Sequence, residues 1–162
     1  MKVVMDSDCL VKLIKSGAKE AIVSAMEVHI PPFVKKETVD EAKERGYQDA
    51  FTIEENINKK ALYVIKHRGK SPPVLAAVKG EAEVVSLYLE GNYDAIASDD
   101  QKFLKRLEAA NIPYLTPTAC LVYLYSNRRV ENSVAVEMLE SLKPFISREE
   151  YSVAKLYMEE KS

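Results

Sequence analysis

The sequence predicts an α/β fold: three layers, with helices on both faces of a central, mostly parallel sheet of about five strands. Three observations predict it. Short β-rich runs alternate with stretches of helical periodicity from the first residues to about position 125. Runs such as Lys2–Met5 and Ala95–Ser98 are mostly apolar at successive positions, as strands covered on both faces must be. Turn residues punctuate the chain between these runs, at Gly17, Pro31-Pro32, Gly46 and Gly91-Asn92.

Taken in order, Lys2 to Met5 reads as a buried strand. Asp6 or Ser7 caps a helix through Cys9, Leu10, Leu13 and Ile14, which Gly17 ends. A short helix, Ala18 to Met26, leads to a strand at Val28 to Ile30. Pro31-Pro32 stops that strand, and Pro32 suits the first turn of a helix running to about Arg45, with Gly46 as its C-terminal signal. Asp49 to Lys59 is helical, and Leu62 to Ile65 a third strand. Lys66 to Pro73 is the clearest loop. A helix over Gly80–Leu89 stops at Gly91-Asn92. The fourth strand, Ala95 to Ser98, runs straight into Asp99-Asp100. Gln101 to Ala110 is a helix, Pro113 to Leu115 a fifth strand, and Thr116-Pro117 opens a helix through Leu121, Val122 and Leu124. Val130 to Ser162 has helical periodicity throughout. Val134, Val136, Leu139 and Leu142 form one apolar set; Tyr151, Val153, Ala154, Tyr157 and Met158 form another.

At 162 residues the chain suits one domain, 1–162, with a core over about 1–125 and C-terminal helices over about 130–161. Apolar residues make up 47% and charged residues 30%, which excludes a disordered tail. There is no run of membrane-spanning length and no signal peptide, so the expected location is the cytoplasm. Cys9 and Cys120 sit in apolar stretches and read as buried free thiols. With no Cys/His cluster, a zinc finger or ribbon is excluded. The only Gly-Lys pair, Gly69-Lys70, lacks the upstream glycine of a phosphate loop. A receiver-like phosphoacceptor would need a lysine on the Ile112–Thr116 strand, which has none. The formal net charge of −2 does not favour nucleic-acid binding by bulk charge. It is compatible with an enzyme that gathers acids in one pocket and bases at its rim.

A parallel sheet places ligands outside the carboxyl ends of its strands. The first strand ends in Asp6-Ser7-Asp8 and the fourth in Ser98-Asp99-Asp100. Helix capping alone would explain either cluster. Two clusters at two carboxyl ends, however, would lie close together, where like charges repel unless a cation sits between them. Oxygen donors without His or Cys point to Mg²⁺ or Mn²⁺. Glu37 shares a helix face with Phe33, Val34 and Glu41 and can point inward or into solvent. Glu81 and Glu83 open a helix after Gly80, where acids also favour the helix dipole.

These residues resemble the PIN-domain family at four places. They are Val3-Val4-Met5-Asp6-Ser7-Asp8; Ile30-Pro31-Pro32-Phe33-Val34-Lys35-Lys36-Glu37; Gly80-Glu81-Ala82-Glu83; and Ile96-Ala97-Ser98-Asp99-Asp100 followed by a basic helix and the Ile112-Pro113-Tyr114-Leu115 strand. The order holds over about residues 1–125. Leu142-Lys143-Pro144-Phe145-Ile146-Ser147 is similar to a VapC-like prokaryotic branch. The resemblance implies a parallel sheet flanked by helices and an acidic Mg²⁺ or Mn²⁺ site that hydrolyses RNA. It also implies a small antitoxin as partner, since many members are toxins of toxin–antitoxin pairs, and a homodimer. On the resemblance Asp6, Glu37 and Asp100 are catalytic acids. The third acid is Glu81 or Glu83, where many members carry Asp. Asp6, Asp99 and Asp100 are the candidate metal ligands. Ser98 stands where members place a hydroxyl near the site. Lys66, Arg68, Lys70 and Lys102 are candidate RNA-binding cations, with His67 and Arg106 beside them. The alternative is a catalytically weak or inactive PIN-like module that works by holding RNA or a protein.

Overall fold

The structure is a computed structural model that describes residues 1–69, 75 and 77–160. Positions 70–73 of the Lys66–Pro73 loop, and with them Lys70, lie outside the described residues, as do 161–162. Five parallel strands form the sheet: β1 (Lys2–Met5), β2 (Glu27–Ile30), β3 (Leu62–Val64), β4 (Ala95–Ala97) and β5 (Tyr114–Leu115), in the order β3-β2-β1-β4-β5. Numbered along the chain, the α-helices are α1 (Ser7–Lys15), α2 (Lys19–Ala25), α3 (Pro32–Lys35), α4 (Ala42–Glu44), α5 (Asp49–Asn58), α6 (Lys79–Glu90), α7 (Gln101–Ala109), α8 (Pro117–Ser126), α9 (Asn132–Leu142) and α10 (Arg148–Glu160).

The expected mostly parallel sheet is parallel throughout its described pairs. Val3, Val4 and Met5 of β1 are fully buried, as are Ile96 and Ala97 of β4, because helices cover both faces. From β1 the chain proceeds outward through β2 to β3, then crosses back to β4 on the other side of β1 and on to β5. The strand order therefore reverses between β1 and β4. The crevice beyond their carboxyl ends is where open α/β sheets bind ligands. The Asp6 amide donates to the Ala97 carbonyl at 3.0 Å, so the ladder between these strands closes at the first acid of the sequence.

Gly17 and Gly46, two of the glycines read as helix ends, do that work through a positive φ. Gly17 has φ +73° and Gly46 φ +78°. In each case the glycine amide and the next amide bond back to the last turn: Gly17 to Ile14 and Ala18 to Leu13, Gly46 to Lys43 and Tyr47 to Ala42. The helix expected from Pro32 to about Arg45 is present with one difference. Between α3 and α4 the backbone takes a π turn over Lys36–Glu41. No composition signal marks such a turn; it is rare and recurs at functional sites.

The C-terminal helices pack inside the chain. Leu121, Leu124 and Tyr125 of α8 are buried, and α8 contacts α1, α2, α9 and α10. Much of the apolar content of α8 and α9 is thereby used within the chain. Two expected apolar sets are corrected in detail. On α9 the buried face is Ala135, Leu139 and Leu142, one stripe at i, i+4 and i+7, and it leaves Val134 and Val136 at the surface. On α10 Tyr151, Ala154 and Met158 are buried while Val153 is 65% exposed. Cys9 and Cys120 are free and fully buried, as read. No helix among the described residues is long and apolar enough to cross a membrane.

Candidate active site

A cavity of about 380 Å³ opens beyond the carboxyl ends of β1 and β4 and is lined by Asp6, Glu37, Glu81 and Asp100, with Lys79 and Gly80 on one wall. Four of the five acids read as catalytic from the sequence thus meet in one place. They arrive from four directions: the start of α1, the π turn, the start of α6 and the start of α7.

Asp6 and Asp100 are fixed the same way. Asp6 Oδ1 accepts the Cys9 amide at 2.9 Å and caps α1. Asp100 Oδ1 accepts the Lys102 and Phe103 amides at 2.8 and 2.9 Å and caps α7. Capping and site chemistry are therefore compatible. One oxygen serves the helix, and Asp100 Oδ2 has no hydrogen-bond partner among the described residues. Ser98, fully buried, accepts the Asp100 amide at 3.2 Å and donates to the Asp6 carboxylate. Ser98 thus joins the two acids and is too deep to touch a substrate.

Burial pushes the Asp6 carboxyl up to about 7, from an ordinary value of 3.8. The Ser98 hydroxyl and Cys9 amide oppose this, while Asp8 and Asp100 add to it. The carboxyl itself is sunk among neighbours, although the residue keeps some solvent contact at the cavity. A buried carboxyl facing other acids is the environment that a cation relieves.

Glu37 is held by Ser7, whose hydroxyl donates to its carboxylate at 2.5 Å. Glu83 turns away from the cavity and accepts the Phe33 amide at 3.0 Å, capping α3 and so anchoring the helical segment that carries Glu37. His67 lies at 3.9 Å from Glu83, and its Nδ1 donates to the Gly69 carbonyl. Glu81 is engaged on both oxygens. Arg106 Nη2 spans them at 2.7 and 2.6 Å, and the Ala77 and Val78 amides reach Oε2. This is the acid half of a capping box, with an arginine added. Gly80 packs tightly on Phe33: a Cβ there would lie 3.1 Å from its ring, which would have to shift slightly.

The remaining candidates stand elsewhere. Asp99 forms an ion pair with Lys12, its side chain 8% exposed, and does not line the cavity. Lys66, Arg68 and Lys102 are exposed outside the cavity lining. The Arg68 amide is tied to Glu90 at 2.7 Å. Sequence reasoning missed Lys79, Ser7 and the true partner of Arg106. Lys79 adjoins Gly80, which had been singled out, and Ser7 adjoins Asp6. The Arg106–Glu81 pairing is long-range and had no local signal.

Among the described residues, no three or more His, Cys, Asp or Glu side chains are gathered closely enough to hold a metal ion by themselves. The donor chemistry still fits Mg²⁺ or Mn²⁺. All donors are oxygens, Asp100 has a free one, and Asp6 is destabilised as an anion. Mg²⁺ in particular keeps several waters and needs only one or two carboxylates. Asp6 and Asp100 would hold it, with Glu37 nearby.

No curated protein matches the chain. A family model described as a PIN domain matches residues 2–160. With the acids set at the β1–β4 reversal and the match spanning nearly the whole chain, the protein belongs to the PIN-domain family.

Proposed function

We propose that the chain is a Mg²⁺- or Mn²⁺-dependent endoribonuclease that hydrolyses RNA phosphodiester bonds at this cavity. Members of the family are typically nucleases that use divalent metals. The observation that carries the reading is the meeting of Asp6, Glu37 and Asp100 at the reversal between β1 and β4. When bound, the metal would supply positive charge against the scissile phosphate and lower the pKa of the attacking water. Asp6 and Asp100 would hold it, Asp100 with the oxygen its helix leaves free. Glu37, oriented by Ser7, accepts the proton of the attacking water. Lys79 on the cavity wall, its ammonium 5.5 Å from the centre of the Phe33 ring, meets phosphate oxygens. The products are a 3′-hydroxyl and a 5′-phosphate. The toxin role, with a small antitoxin and a second copy as partners, comes from the family resemblance and is part of the proposal.

One observation favours a second reading, a weakly active or inactive binding module. Glu81 is already neutralised by Arg106, so the third acid does not present a free carboxylate. The test is cleavage of a labelled single-stranded RNA with Mn²⁺ or Mg²⁺, beside an Asp6→Asn/Asp100→Asn variant, with metal affinity from calorimetry. Cleavage lost in the variant and in EDTA supports the enzyme. Metal binding without cleavage by the native chain supports the module, and absence of metal binding sinks the mechanism.

A further inference from the structure

A second groove, of about 370 Å³, adjoins the acid cavity and shares Ser7, Asp8 and Glu37 with it. Its floor is apolar, from Val11 of α1 to Ala50 and Ile53 of α5. At its edge stands Tyr47, 59% exposed, on the connection between α4 and α5. An aromatic ring so exposed beside an apolar floor is a stacking surface. Two cations frame the groove. Arg45 has no carboxylate partner among the described residues, and Lys15 has only the face of Phe145, 4.9 Å from its ammonium. Asp49, at the start of α5, adds a hydrogen-bond acceptor to the lining.

We propose that this groove is a nucleotide subsite, in which a base of single-stranded RNA stacks on Tyr47 while Arg45 and Lys15 pair with phosphates flanking the scissile bond. The proposal rests on the ribonuclease reading, since continuity with the acids is what sets the strand's direction. An apolar floor, an aromatic face and flanking cations are the elements by which proteins hold unpaired nucleotides. The shared Glu37 places the subsite one step from the acids, so the groove fixes which phosphate reaches them. The net charge of −2 does not preclude such a subsite, because Arg45 and Lys15 supply local positive charge beside the groove's carboxylates, Asp8, Glu37 and Asp49.

The test uses the full chain carrying Asp100→Asn and a fluorescent single-stranded RNA with 5-iodouridine at successive positions, in Mg²⁺. Photo-crosslinks are expected at Tyr47. Anisotropy is expected to show a loss of about ten-fold or more for Tyr47→Ala, with recovery in Tyr47→Phe. Arg45→Ala should lower the slope of log affinity against log salt by roughly 0.7, the value for one single-strand phosphate. Unchanged urea midpoints would show that these exposed substitutions leave the fold intact. RNA bound with unchanged affinity by Tyr47→Ala, and crosslinked elsewhere, overturns the subsite and leaves the ribonuclease reading standing. No RNA binding by the native chain or by Asp100→Asn overturns both.

Discussion

The Asp6 carboxyl gives the sharpest test of the site, because its effect on stability is large and vanishes at low pH. In the unfolded chain it ionises near 3.8, in the folded chain near 7. Between those values the folded protein holds a proton that the unfolded chain has lost, so stability falls as pH rises through the window. Above about pH 7 both states are ionised and the full cost is present. The interval corresponds to roughly 4 kcal/mol, which is an upper figure once water and side chains relax. Asp6→Asn removes the charge and keeps the cap on the Cys9 amide, since Asn caps about as well as Asp. In EDTA at pH 8 the variant should therefore be more stable than the native chain by at least about 2 kcal/mol, or roughly 4–8 °C in Tm for a chain of this size. The gain should shrink toward zero near pH 4. Millimolar Mg²⁺ should then raise the Tm of the native chain at pH 8 and leave that of Asp6→Asn unmoved. Urea and thermal unfolding by circular dichroism, from pH 4 to 9 with and without Mg²⁺, read all of this. A variant no more stable than the native chain at any pH in EDTA would refute the strained carboxyl, and with it the case that a cation is needed there.

Three further outcomes follow from the geometry. Asp100→Asn and Asp100→Ala should both abolish cleavage, but only Asp100→Ala should lose the cap of α7, costing about 1 kcal/mol in urea unfolding. The Arg106–Glu81 pair is half-buried, so a double-mutant cycle with Arg106→Met and Glu81→Gln should give a coupling of about 1–2 kcal/mol; a value near zero would mean that the bridge does not hold α6 to α7. Lys60 ends α5 at φ +55°, so Lys60→Gly should stabilise the chain by about 0.5–1 kcal/mol in the same assay, and a loss would show that its side chain matters more than its backbone.

Much of the fold was legible because its signals are local. Strands buried on both faces are mostly apolar, and the glycines at 17 and 46 end their helices in the way glycine allows. Asp6 and Asp100 were legible for a related reason: an acid at the end of a strand and the start of a helix is placed by both elements. What could not be read was pairing across the chain. Asp99 and Asp100 are sequence neighbours with the same charge. One turns to Lys12 of α1 and the other to the cavity, a choice made by helix packing. Glu81 and Glu83 were equally open, and the structure sends one to Arg106 and the other to the Phe33 amide. Val134 and Val153 belong to the apolar sets by residue type, and helical angle leaves both at the surface.

Because Asp6 and Asp100 each hold an amide of the helix that follows, the site carries its own spectroscopic witnesses. The amide protons of Cys9 and Phe103 sit one hydrogen bond from the carboxylates, at 2.9 Å in each case. Any change of charge on those carboxylates must alter how strongly the amides are bound and how fast they exchange with solvent. Occupancy of the pocket can therefore be followed by nuclear magnetic resonance in the intact, unsubstituted chain, without substrate, at two backbone positions that take no part in the chemistry.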